Sequence, residues 1–280
     1  MKILDRIKYD FEVAVVVAIN VWKLDLSYPM SALYFVAAPF IWFAPTLVFA
    51  YFMAGGRTSQ IFGAIAGVDD VITYVTLGSA FTLLMLIGFW STSFALRKEQ
   101  WMGTFESVYV TPISRFALIL GHSLHSFTHI GAGVLIQIIF IHIVIGLTIN
   151  VWGIFPALIA VILGFAALQA VGLLLATIVL VAKQGWMASE IVGDVLYILS
   201  PVAYPIVILP PLLRALANYN PLYYGTEAFR QFLLYGPFVV DAWYMLLVLA
   251  VIDAIGLVIG YAIFLITEKQ IRHIGGLNKY

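Results

Sequence analysis

Three histidines, His122, His125 and His129, stand at i, i+3 and i+7 in "GHSLHSFTHIGAG", which places them on one stripe of a helix. Imidazoles so spaced could converge on a metal or haem. No carboxylate or cysteine lies near them in sequence, and zinc wants three or four converging ligands. The interleaved glycines and serines fit close helix packing. The stripe is therefore read as a polar inner face or a subunit contact, and no metal is expected. Two aspartates, Asp194 and Asp253, fall within apolar stretches. A charge at the centre of a span costs about 2.5–3.5 kcal/mol, so each should face the bundle interior or water. They line a polar path, with His125 and His129, or they hydrogen-bond between helices. Glu227 and Arg230, three apart, suit an ion pair on a short helix. No G-x-x-x-x-G-K-[ST] string occurs, and "GGLNKY" near the end lacks its spacing, so ATP has no phosphate-cradling loop here. No cofactor is expected on this chain, and no catalytic residue.

The elements that must position these groups follow from composition. Of 280 residues, 63% are apolar and only 10% are charged, against about 25% charged in a soluble domain. This is the composition of an integral membrane protein. A net charge of zero argues against nucleic acid as a partner. The absence of cysteine removes disulfides and thiolate metal sites. Apolar runs of about 20 residues give six spans, near residues 30–53, 71–96, two within 116–182 divided at "NVWG", 191–209 and 242–266. Residues 1–28 read as an amphipathic interfacial helix, with Ile3, Leu4, Ile7, Phe11 and Val15 on one face. Asp5, Asp10 and Glu12 interrupt its basic region, which is unlike a cleaved leader. Pro39 and Pro45 are expected to kink the first span. The fold expected is all-α, one polytopic transmembrane domain over 1–280. Of the 14 Lys and Arg, only Arg57, Arg214 and Arg230 fall in the outer segments when the N-terminus is inside. That bias sets both termini in the cytoplasm.

One polar island interrupts the apolar chain. "RKEQWMGTFESVYVTPISR", from 97 to 115, lies between spans two and three on the cytoplasmic side. Trp101, Phe105, Val108 and Tyr109 share a face of a short helix that Pro112 ends. Glu99 and Glu106 point elsewhere. Such a helix rests on the inner leaflet or docks a soluble partner.

The string formed by Glu99, Gly103, Thr104, Glu106, Thr111 and Pro112 resembles the coupling-helix signature of ABC-2-type permeases, the membrane subunits of ATP-binding-cassette exporters. A second region is similar to the same family. There Pro205, Leu209-Pro210, Asn220-Pro221-Leu222 and Ala228 to Arg230 follow in the family's order, with one residue fewer between Ala and Arg. Pro201 stands where many members have glycine. The resemblance implies a six-helix subunit with a coupling helix at 97–114 and short re-entrant or outer helices over 210–240. It implies a homodimer in the plasma or inner membrane, bound to cytosolic ATPase subunits that hold ATP and Mg. Glu99, Gly103, Thr104, Phe105, Glu106, Thr111 and Pro112 would meet that ATPase. Asn220, Pro221, Glu227 and Arg230 would build the outer segment. Alternating access driven by the partner's ATP hydrolysis is the mechanism implied, and export rests on analogy. Two other classes remain open: an autonomous carrier or channel using Asp253, and an intramembrane enzyme built on Asp253, Asp194 and the histidines. Inverted repeats, common in secondary carriers, are not evident.

Overall fold

The computed structural model describes residues 3–104, 107, 110, 111, 113–181 and 185–274. Among them the chain is all helical, with ten α-helices and no strand. These are α1 (Ile3–Leu26), α2 (Pro29–Met53), α3 (Gln60–Ala66), α4 (Val71–Trp101) and α5 (Arg115–Ile145). There follow α6 (Ile154–Val181), α7 (Trp186–Ile198), α8 (Pro211–Ala217), α9 (Pro221–Tyr235) and α10 (Val240–Ile274). Short 3-10 turns occupy Val151–Gly153 and Ile206–Ile208.

Four of the helices, α4, α5, α6 and α10, are long and apolar enough to cross a membrane. Most of the α4 crossing is buried inside the bundle, while most of α5 and α10 is not. So α4 is the central post, and the outer helices turn apolar faces outward, such as Leu247, Val251, Ile255 and Val258 of α10. Phe81 of α4 packs on Phe229 of α9, with ring centroids 5.2 Å apart, inside a core shared with α6 and α10. The apolar stretch of α2, Ala37–Met53, is shorter than a full crossing. The helix itself runs on through Pro39 and Pro45.

Helix ends follow local chemistry. Asp70 caps α4 by accepting from Thr73 N at 3.1 Å, and Arg57 holds that carboxylate at 2.9 Å. The same guanidinium donates to the carbonyls of Ile145 and Gly146, satisfying the last turn of α5. Asn150 divides α5 from α6, its side chain accepting from Trp152 N.

The span expected at 191–209 is not one helix. It stops at Ile198 after 13 residues, about 20 Å of helix. Pro201 disfavours helical geometry in the residue before it and offers no N–H. Ser200 Oγ and Asn220 Nδ2 both donate to the carbonyl of Leu196, completing the stop.

The inward face of α1 is built of small residues, and Phe11 of its expected apolar face is turned outward. Phe11 is exposed, whereas Ala14 is fully buried. A Cβ added to Gly121 of α5 would meet Val17 Cβ at 2.6 Å and Ala14 O at 2.8 Å, so glycine permits the close approach of α1. In an apolar medium, helices pair through small residues and turn bulky ones to lipid.

Candidate functional site

The end of α4 carries the most structured part of the polar island. The helix continues through Arg97 to Trp101 and then turns sharply at Gly103, whose φ of 69° favours glycine. Thr104 N donates to Glu99 O at 3.0 Å and Gly103 N to Gln100 O at 3.2 Å, the paired bonds of a Schellman stop. Glu99 is only 7% exposed. It follows Thr92 and Leu96 on the inner face of α4. Its carboxylate accepts from Thr104 Oγ1 and lies 3.2 Å from His122 Nε2 of α5. The elbow is thus fastened to the next helix by a charged, buried bond. Ser107 and Val110 are helical and exposed, and Thr111 lies half-buried in a bend. Phe105, Glu106 and Pro112, with Val108 and Tyr109, lie outside the described residues.

A hydrogen-bonded core continues from the elbow into the bundle. Thr92 Oγ1 donates to Gln169 Oε1, Gln169 Nε2 donates to Ser123 Oγ at 2.7 Å, and Ser123 Oγ donates to Gly88 O at 3.2 Å. Ser91 Oγ donates to His122 O at 2.9 Å. This network joins α4, α5 and α6 with their polar groups satisfied.

The histidine stripe divides between neighbours. His122 belongs to the elbow. His125 and His129 face α1, their rings 5.3 Å apart and both edge-on to Trp22. Asp25 at the end of α1 brings its Oδ2 to 3.0 Å from His125 Nε2. A second carboxylate thus meets the stripe from about a hundred residues upstream, where nearness along the sequence gives no sign of it.

A cavity of about 400 Å³ lies between α2, α4 and α7. Trp42, Phe43, Leu86 and Trp90 wall it, and Ser79, Thr82 and Asp194 supply polar edges. A second cavity, of about 270 Å³, is lined by Lys98, His122 and His125. Trp90 and Ile87 line both. The four residues expected along one path are therefore divided. Asp194 lines the first cavity and His125 the second, while His129 packs against α1.

Asp253 belongs to neither of these cavities. It is 5% exposed and follows Leu246 and Leu249 on the stripe that ends at Gly260, which packs against Ala170 of α6. Neither carboxyl oxygen makes a hydrogen bond. The cross-helix bond considered for it is absent among the described residues. Asp253→Leu is expected to stabilise the protein by on the order of 2 kcal/mol, since leucine removes the insertion cost of the acid. Thermal unfolding of the purified protein in detergent measures this. A lower melting temperature would mean that the carboxyl has a stabilising partner.

At the opposite end, Arg230 is 1% exposed. Its guanidinium lies 3.6 Å from the ring centroid of Tyr74 and donates to the carbonyls of Tyr74 and Pro201. It also donates to Glu227 at 2.6 Å, the i, i+3 pair expected. Asn220 caps α9 by accepting from Leu222 N while donating to Leu196 O and Ser200 Oγ, and Pro221 occupies the first helical position. The outer-segment residues thus tie α4, α7 and α9 together.

Long apolar crossings, lipid-type outward faces and a hydrogen-bonded seam between α4, α5 and α6 define a multi-pass membrane protein. Residues 57–234, more than half of the chain, match the ABC-2 type transporter family. The chain belongs to that family, as the motifs at Gly103-Thr104 and Asn220-Pro221 imply. Among individually curated proteins, none matches it. ABC-2 membrane domains generally work with ATP-binding subunits.

Sequence reasoning missed Asp25, Trp90, Thr92 and Gln169. The one signal for the last was a lone glutamine in an otherwise apolar helix.

Proposed function

We propose that the chain is the permease subunit of an ABC exporter, a dimer of six-span subunits whose access alternates under the push of a separate ATPase. The observation that carries this reading is the fastened elbow after α4, in a family member that lacks a phosphate-binding loop. The elbow opens the coupling helix, and closure of ATP-bound partner subunits presses on residues 103–112. ATP and Mg belong to the partner. Glu99 acts within the chain as a positioning residue, since its carboxylate is turned inward.

Helix ends support six crossings. Glu268 near the end of α10 pairs with Arg115 at the start of α5, at 3.7 Å. The start of α10 lies with α9, where Trp243 meets Phe232 at 5.1 Å. Since α6 descends to the elbow side and α10 begins on the other, a further crossing falls to α7 and the irregular stretch after it. By the same reasoning α2 crosses from the α1 side to Arg57. The bias in lysine and arginine puts both termini and the elbow in the cytoplasm of the plasma or inner membrane. The larger cavity falls within the size range of small-molecule sites. Its aromatic walls and few polar edges suit an amphipathic cargo.

Topology offers a direct test, because the native chain has no cysteine. A cysteine at Ser59 is expected to react with a membrane-impermeant thiol reagent in intact cells, and one at Ser107 to resist it. Labelling at 107 from outside would invert the arrangement. Purified from its native membrane, the tagged chain is expected to retain a separate subunit with ATPase activity. A pure, folded chain that transports without nucleotide would favour the carrier reading instead.

A further inference from the structure

We infer that Asp25, His125 and His129 form a binding site for a divalent transition-metal ion, Zn²⁺ above all, at the junction of α1 and α5. One ligand atom from each residue lies within 4.8 Å of the others. His125 and His129 are four apart on α5, so both imidazoles project from one face and stack at 19°. Asp25 completes the set from the last turn of α1.

The contact between Asp25 and His125 carries the argument. The His125 side chain is 8% exposed, and its buried Nε2 makes no hydrogen bond, although Asp25 Oδ2 is only 3.0 Å away. The two atoms approach without the direction that a hydrogen bond requires. Ligands of one tetrahedral zinc ion, at about 2.0–2.2 Å from the metal, stand roughly 3.3 Å apart. A shared ion satisfies both atoms where a direct hydrogen bond does not. Two imidazoles and one carboxylate form a zinc-type donor set with a fourth position left for water. Imidazole donors also suit Co²⁺ and Ni²⁺, and disfavour Mg²⁺ and Ca²⁺.

The surroundings fit such a site. Trp22 covers both rings edge-on, and its Nε1 donates to Thr128 Oγ1 at 2.9 Å, holding α1 in register. His125 also lines the cavity of about 270 Å³, which gives an ion a route in. Lys98 faces that cavity too, so the metal competes there with one fixed cation. Bound metal would clamp the end of α1 to α5, a few residues before α2 begins.

The test uses the full chain in detergent, stripped with a chelator and titrated with Co²⁺ or Zn²⁺ alone. One Co²⁺ per chain is expected, with the visible ligand-field absorption of a tetrahedral N/O site, displaced by Zn²⁺. Asp25→Asn and His129→Gln should each weaken binding by about 100-fold or more, at least the upper end of what losing an outer partner costs. His142→Gln, on the same helix but away from the cluster, should bind as the wild type does. Asp25 is half-buried and Asn is its isostere, so this variant is expected to stay monodisperse. Folded wild type without Co²⁺ absorption would overturn the proposal, leaving only a metal-free ion pair. Unchanged affinity in both folded variants would do so as well.

Discussion

Replacing Arg230 with alanine is expected to destabilise the protein by about 3–5 kcal/mol, the usual effect of breaking a buried ion pair from one side. The guanidinium is almost fully buried and serves four partners at once. Alanine leaves the carboxylate of Glu227, which is mostly buried, without its counter-charge. It also strips donors from the carbonyls of Tyr74 and Pro201 and empties the space over the Tyr74 ring. Lysine should recover only part of the loss, because it keeps the charge but not the planar fork that stacks and bonds together. Gly78 provides an independent probe. A Cβ there would come within 2.4 Å of Arg230 Nη2 and 2.5 Å of Val202 O, so Gly78→Ala should weaken the same joint without touching a charge. Thermal unfolding and size-exclusion behaviour in detergent measure all three. A wild-type melting temperature for Arg230→Ala would remove the joint from any account of stability.

The Glu227–Arg230 pair was legible in the sequence because its determinants are local. Three residues of spacing on a helix bring the two side chains together, and Asn-Pro announces a capped helix start. The long helices were legible for the same reason, since apolar length is a local property. The division at Asn150 was read from turn chemistry and is present. What escaped was set by contacts distant in sequence. Residues 191–209 are apolar apart from Asp194 and Ser200, yet the helix ends at Ile198, where two prolines and the side chain of Asn220 take over. Hydropathy cannot see a carbonyl already satisfied from another helix.

The polar island taught the same lesson. Treated as a helix of its own, it turned Glu99 away from the face of Trp101, Phe105, Val108 and Tyr109. In the structure α4 runs on to Trp101, so Glu99 continues the inner stripe of Thr92 and Leu96 and points at His122. Asp25 was invisible as a partner of the histidines for want of any local signal. Its approach depends on Gly121 admitting α1 to the side of α5. The family match explains why the motifs were informative even where the local geometry was misread.

The second large effect is expected at Glu99, on the reading of the chain as an ATP-driven permease. A push on the segment after Gly103 enters α4 directly, and it moves α4 and α5 as one body only while the elbow stays fastened to α5. Backbone bonds of the Schellman turn hold the elbow to α4, and the Glu99 side chain holds it to His122 and Thr104. Glu99→Ala removes the side-chain fastening and leaves Gly103 and its turn intact. Charged hydrogen bonds of this kind contribute about 1.5–3 kcal/mol each, enough to weaken coupling roughly tenfold to a hundredfold. The complex should still assemble and hydrolyse ATP. Its stroke can be read without knowing the cargo, through a cysteine at Ser79, which lines the larger cavity. In the otherwise wild-type complex, trapping ATP should change the labelling rate at 79. With Glu99→Ala the rate should stay near its nucleotide-free value while hydrolysis continues. Glu99→Gln, which can still accept from Thr104, should fall between the two. A full nucleotide-dependent change at 79 in Glu99→Ala would show that force enters the bundle by another route, through the segment beyond Gly103 or through the end of α10.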